Sequence, residues 1–117
     1  MKLQELLPLI EPNPWGEPSD QFIGRCSGIT PDDGFLRVKF HIVIPAKGGK
    51  FTYSSVSLGH GVKKDDMKNW IEGRHAVNGD TMPDSWDDAD DYELMTIDTW
   101  YDRFKKELLL YATNART

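Results

Sequence analysis

The alternation of apolar and polar residues between Phe35 and Ala46 constrains the fold of this chain more than any other feature. Apolar side chains at every second position alternate with charged or polar ones: Leu36, Val38, Phe40, Ile42 and Ile44 against Arg37, Lys39 and His41. Successive side chains of a β-strand point to opposite faces of its sheet, so a period of two predicts a strand with one face on a core. The other face is predicted to point toward solvent or a partner.

Turn residues on both sides of this strand predict an antiparallel meander. Pro31–Gly34 contains the proline, aspartate and glycine typical of tight turns, and Lys47–Lys50 contains a pair of glycines. Phe51 to Leu58, rich in Thr, Tyr, Ser and Val, is predicted as the following strand. Short turns join neighbours in a sheet, so the strands are expected to run antiparallel.

Phe22 to Thr30 is predicted as a further strand at the edge of the sheet. Its residues suit a strand, but Gly24 and Gly28 interrupt it. Glycines inside a strand mark a bulge or a close approach of another group to the backbone. The meander therefore has at least three predicted strands.

Helical patterns lie on both sides of the meander. Lys2 to Ile10 is predicted as a short helix with a proline in it, followed by a proline-rich tether. A second short helix is predicted from Asp66 to about Glu72, with Asp65 as its cap and Gly73 as its stop. A closing helix from Ile97 to about Ala112 has an apolar stripe wide enough to cover one face of the sheet.

These elements predict one α+β domain over residues 1–117, because a chain of 117 residues can bury one core and is too short for two. Residues 1–20 form the helix and tether, 21–58 the β-meander, and 59–117 the second helix, an acidic segment and the closing helix. The single cysteine, Cys26, excludes an internal disulfide, and no apolar run approaches the roughly 18 residues of a membrane span. We expect a cytoplasmic location and no membrane contact.

The acids of the chain are concentrated between His75 and Asp102. Nine of the 19 acids fall there with no Lys or Arg among them, while the rest of the chain has 10 acids and 14 bases, so the net charge of −5 divides into −9 and +4. Uncompensated charge destabilises a compact domain by self-repulsion, so the excess acids call for a reason. One reason is a solvated acidic loop, and the other is a surface that receives a basic partner.

Aromatic residues among these acids favour the binding surface, because Trp and Tyr provide contact area at low entropic cost and are enriched where binding energy concentrates. Trp86 and Tyr92 are predicted to anchor the partner. The predicted partner-binding residues are Asp80, Asp84, Trp86, Asp87, Asp88, Asp90, Asp91, Tyr92 and Glu93.

Motifs for metal binding and catalysis do not occur at the required spacings. A calcium loop read from Asp88 needs glycine at its sixth position and glutamate at its twelfth, where Glu93 and Thr99 stand. The three histidines and the cysteine are too far apart for a zinc motif, and no serine has the flanking glycines of a nucleophile elbow. We expect no catalytic residue, no metal and no cofactor.

Short motifs in the second half of the chain follow one another in a particular order. Met67–Arg74, Asn78–Met82 and Ser85–Trp86 come after a strand rich in Tyr, Ser and Val and before an amphipathic helix. This order resembles the C-terminal part of contact-dependent growth inhibition immunity proteins, which belong to polymorphic-toxin systems. The resemblance implies an antitoxin-like protein that binds and neutralises a toxin domain. Thr96–Trp100 also resembles part of a helix in a phage DNA-mimic antirestriction protein.

Charge and resemblance together predict a non-catalytic inhibitor. The leading hypothesis is an immunity protein whose acids occupy the Lys and Arg surface of a nuclease-type toxin, so the expected partner is a basic protein and no direct contact with nucleic acid is expected. A phage-encoded anti-CRISPR or antirestriction inhibitor of a host nucleic-acid-binding protein is the alternative. A third hypothesis is a small ligand- or nucleic-acid-binding sheet that uses Arg37, Lys39 and His41.

Overall fold

A four-stranded antiparallel sheet forms the centre of the molecule. The computed structural model describes residues 1–10, 19–32, 34–46, 48–75, 86 and 88–115. The strands are β1 (Phe22–Asp32), β2 (Phe35–Ala46), β3 (Lys50–Gly59) and β4 (Glu93–Met95), in the order β3-β2-β1-β4. All three pairings are antiparallel, and the predicted α+β fold with a meander of at least three strands is confirmed.

In the described part of the chain, the helices α1 (Leu3–Leu6), α2 (Lys64–His75) and α3 (Ile97–Ala115) accompany the sheet. A 3-10 turn over Leu7–Leu9 follows α1, so the predicted helix from Lys2 to Ile10 is divided where proline lacks an amide hydrogen to donate. No helix among the described residues is long and apolar enough to cross a membrane.

Both glycines of β1 have the roles that the sequence predicts, but β1 is not an edge strand. The pairing with β2 shifts between Cys26 and Gly28, where Gly28 has a φ of 141° that side chains rarely adopt. A Cβ atom on Gly24 would lie 2.8 Å from the Met95 Sδ atom, so the backbone and Met95 approach closely there. Met95 belongs to β4, which pairs with β1 and places it inside the sheet.

The second helix begins earlier and ends later than predicted. The backbone N–H of Lys63 donates to Asp66 Oδ2 at 3.1 Å, which makes Lys63 the residue before the helix and places Asp65 inside the first turn. Asp65 is therefore not the cap. The helix also continues through Gly73 to His75, whose side chain is buried; the cost of about 1 kcal/mol for a helical glycine is small beside such packing.

Thr96 and Thr99 start α3 with reciprocal hydrogen bonds. The Thr96 N–H donates to Thr99 Oγ1 at 2.6 Å, and the Thr99 N–H donates to Thr96 Oγ1 at 3.3 Å. This arrangement satisfies amides that have no partner within the helix, as a capping box does. The helix then extends to Ala115, three residues beyond its predicted end.

The main core lies between the sheet and the helices α2 and α3, on what we call the inner face. Trp100 of α3 is fully buried, with its ring centroid 5.3 Å from that of Phe22 and 6.0 Å from that of Phe40 in edge-on contacts. The other buried residues of this main core are Val38, Ile42, Ile44, Leu58, Met67, Ile71, Met95 and Phe104. The predicted covering of one face by the closing helix is confirmed.

A second, smaller cluster lies on the opposite side of the sheet, the outer face. It consists of Leu3, Leu6, Ile10, Ile23, Val43 and Tyr92. The expectation that this face points to solvent or a partner therefore fails around Val43, although Arg37 and Lys39 are exposed as expected. Every residue of Ile42–Ala46 is buried, and this uninterrupted apolar run is the sequence signal for a strand covered on both faces.

Candidate functional site

Trp86 is stacked on the middle of the outer face. Its ring lies parallel to the His41 ring, with centroids 4.4 Å apart and an interplanar angle of 6°. Tyr53 of β3 meets Trp86 edge-on at 4.9 Å. The half-buried Trp86 thus packs against two strands of its own sheet, an arrangement favoured by the charge distribution of aromatic rings.

Arg25 continues this arrangement on β1, where the register places it directly across from His41. Its Nη2 atom donates a hydrogen bond to His41 Nδ1 at 3.0 Å, because a guanidinium can only donate. The same guanidinium lies over the Tyr92 ring, 5.4 Å from its centroid. Tyr53, Trp86, His41, Arg25 and Tyr92 therefore form a continuous line across the sheet, which we call the stacking row.

Burial, with the positive charge of Arg25 as the second cause, lowers the pKa of His41. The neutral imidazole is also the form that accepts at Nδ1, so its proton resides on Nε2. The lowered pKa and the hydrogen bond from Arg25 both favour the neutral imidazole of His41. Trp86 therefore stacks on an uncharged ring.

Tyr92 is the clearest departure from the predicted binding residues. Its side chain is only 1% exposed and belongs to the outer cluster, so it cannot anchor a partner on the surface as predicted. Its backbone N–H donates to the Met1 carbonyl at 3.1 Å, which ties the segment to the chain start beside α1. Trp86 and Tyr92 both anchor the acidic segment to its own sheet.

Three acids between these anchors are exposed, namely Asp88, Asp90 and Asp91, and we call them the acidic surface. The Asp90 side chain is 70% exposed, with its Oδ1 atom 4.0 Å from the Met1 amino group. Asp91 has a φ of 77°, in the left-handed region that aspartate tolerates better than most residues. The turn at Asp91 directs the chain from the exposed acids into buried Tyr92.

Glu93, another predicted binding residue, does not join this surface. Glu93 lies on β4 with its side chain toward α3, where Oε1 is 3.8 Å from Arg103 Nη1. Arg103 follows the acidic segment in the chain. A count of charges within that segment therefore did not include the positive charge that compensates Glu93. Asp80, Asp84 and Asp87, also predicted to bind the partner, lie outside the described residues.

Burial is the main cause of the shifted pKa values of Cys26 and His75. Burial raises the pKa of the Cys26 thiol, which favours the unreactive protonated form. Burial also lowers the pKa of His75, while backbone carbonyl groups of Ser19 and Pro45 oppose the shift. Among the described residues, no group of three or more His, Cys, Asp or Glu side chains could hold a metal ion.

Comparison with known proteins assigns no family to this chain. No protein-family model matches the chain, and neither the curated proteins nor the solved structures contain a match. The resemblance to immunity proteins stays a prediction.

Proposed function

We propose that this protein is a non-catalytic inhibitor that binds a basic protein partner through the acidic surface. The observation that supports this proposal is the fixing of that surface at both ends, by Trp86 on His41 and by buried Tyr92. A segment ordered before binding loses less conformational entropy when the partner arrives. An acidic loop that only aids solubility does not need such anchors.

The charge of the acidic surface suits a partner that acts on nucleic acid. An enzyme that holds phosphates presents Lys and Arg, and carboxylates accept short, charge-assisted hydrogen bonds from both. Opposite charges also steer the two proteins together and raise the association rate. We therefore infer an immunity protein against a nuclease-type toxin as the leading function. A phage-encoded inhibitor of a host defence nuclease would use the same surface on a different target.

The test compares two variants that lose the same three charges. Asp88→Asn, Asp90→Asn and Asp91→Asn together neutralise the acidic surface, whereas Asp65→Asn, Glu72→Gln and Asp102→Asn remove three exposed acids from the helices. Where a gene adjacent to that of this protein encodes a nuclease-type toxin domain, that domain is the partner, and it is purified and titrated with each variant by calorimetry. We expect the first variant to bind about 100-fold more weakly, a loss near 3 kcal/mol, and the control to stay within about threefold.

Trp86→Ala separates anchoring from charge, because it leaves every carboxylate in place. We expect it to remain folded and to bind about tenfold more weakly, since the acidic surface must then be ordered during binding. If the neutralised variant protects cells and inhibits the toxin as well as the parent does, the acidic surface is not the interface. The same conclusion follows if association is insensitive to salt, because steering between exposed charges is screened over about 8 Å at physiological ionic strength.

A further inference from the structure

The exposed half of the outer face has a basic ridge on β2 that the proposed function does not use. Arg37 and Lys39 are both exposed on the same face of the strand. Gly28 and Ser57 flank Lys39 in the neighbouring strands, and Gly59 lies beside Arg37. Small neighbours leave both cations accessible from above the sheet, whereas the Val43 end of the same face is covered.

An exposed aromatic stack lies at one end of the basic ridge. Phe35 is 53% exposed, and its ring is stacked on that of exposed His60 with centroids 5.1 Å apart and an interplanar angle of 24°. A groove of about 330 Å³ beside the stack is lined by Phe35, Arg37, His60 and Asp66, among others. A large exposed aromatic ring beside a cation is a feature of binding surfaces rather than of a well-covered core.

The stack of His41 and Trp86 lies at the other end of the ridge, so aromatic groups flank the cations on both sides. Phe35, Arg37, Lys39 and His41 occupy alternate positions of one strand. At about 3.4 Å per residue, this line is about 20 Å long. A few nucleotides of single-stranded nucleic acid cover that length.

We propose that the basic ridge and its flanking stacks bind single-stranded nucleic acid. Arg37 and Lys39 contact phosphates, and bases stack on the Phe35 and His60 pair at one end and beside Trp86 at the other. Proteins that hold single strands combine cations along the backbone with aromatic platforms for the bases. An acidic peptide would use the two cations but has no planar bases for the aromatic stacks.

The net charge of −5 weakens this binding and sets its expected range. With two phosphate contacts on a negatively charged protein, we expect weak binding, with a dissociation constant on the order of 10⁻⁴ M, the weak end of non-specific binding. The interaction uses none of the three carboxylates of the acidic surface and shares only Trp86 with the proposed inhibitory function, so the variants at Arg37, Lys39 and Phe35 test it separately.

Fluorescence anisotropy with a labelled oligothymidylate of about ten nucleotides, at about 50 mM salt, tests the proposal. We expect the parent to bind and the double variant Arg37→Ala and Lys39→Ala to lose at least about tenfold in affinity. Lys68→Ala with Lys106→Ala removes two exposed cations from the helices and is the matched control, expected within about twofold. Arg37 also has an interaction within the chain, so Lys39→Ala is measured alone, with a loss of about threefold expected.

Phe35→Ala tests the stacking contribution. It should weaken oligothymidylate binding about fivefold. An abasic chain of the same length, which keeps the phosphates without bases, should show no change on this substitution. Leu109→Ala removes another exposed apolar side chain and should have no effect on either ligand.

Three results would overturn the proposal: no binding by the parent at low salt, equal losses in the ridge variant and its lysine control, or binding indifferent to Phe35. Tighter binding of an acidic peptide of ten residues than of the oligonucleotide would also contradict it and would assign the ridge to a protein ligand. None of these results depends on whether the acidic surface binds a toxin.

Discussion

On the inner face of β2, Val38, Phe40 and Ile42 are fully buried beneath α2 and α3, whereas Arg37 and Lys39, one residue away on the outer face, are exposed. A single strand thus takes part in a continuous apolar core on one side and in a partly open surface on the other. Edge-on contacts among buried aromatic rings stabilise the inner face, whereas the aromatic rings on the open part of the outer face remain at the surface.

The outer face is divided along β2 into parts with different covers. Around Val43 it is closed by α1, at His41 it receives Trp86, and at Lys39 it is open. The covered part of the outer face thus contributes to folding, and the open part remains accessible for recognition. Substitutions on the inner face should therefore change the stability of the protein, and substitutions on the exposed outer face should change binding.

The largest effect is expected from Phe40→Ala at the centre of the inner face. A large-to-small change at a fully buried site should lower the free energy of unfolding by about 3 to 5 kcal/mol, because it removes buried surface and leaves a cavity beside Trp100. Urea unfolding followed by circular dichroism measures the loss. Leu109→Ala, at a side chain 68% exposed, is the control and should change stability by about 0.5 kcal/mol or less.

A smaller effect is expected from Leu6→Ala in the outer cluster. Leu6 is buried, but α1 is only four residues long and can separate from the sheet without exposing the main core. We expect a loss of about 2 kcal/mol, at the low end for such a change, with Leu9→Ala as the exposed control. A loss as large as that of Phe40→Ala would show that the outer cluster is not the weaker of the two.

The smallest effect is a dependence of stability on pH that comes from both faces. Burial lowers the folded-state pKa of His41 and His75, so the unfolded chain binds protons more readily than the folded one as pH falls through about 6.5. The free energy of unfolding is therefore highest above a pH of about 6.5 and decreases below it. Urea unfolding at pH values of about 7.5 and 5.5, above the ordinary range of carboxylates, should give lower stability at the lower pH. Equal stability at both would contradict the burial of the two rings.

Local patterns predicted most of the inner face. The alternation through β2, the glycines of β1 and the stripe of α3 report which side chains face a core, because that information is written in neighbouring residues. The three-residue strand β4 gave no such pattern, since Glu93–Met95 contains one acid and no clear alternation. Its pairing depends on β1, seventy residues away.

The candidate site was predicted only in part. The sequence indicated an acidic segment with aromatic residues, and Asp88, Asp90 and Asp91 are indeed exposed. It assigned Trp86 and Tyr92 to the partner, although they pack on His41 and Arg25 of the same chain. An aromatic residue between acids gives no sign of which surface it covers, because that depends on how distant strands are arranged.

Stacking of Trp86 on His41 is expected to hold the acidic segment on the outer face. Proton NMR of the His41 ring tests it most directly, because an indole stacked at 4.4 Å shifts the imidazole resonances upfield through its ring current. We predict that these resonances lie upfield in the parent and return toward ordinary histidine values in Trp86→Ala. The His60 resonances, next to Phe35, should stay unchanged. His41 resonances that are the same in both proteins would contradict the claim.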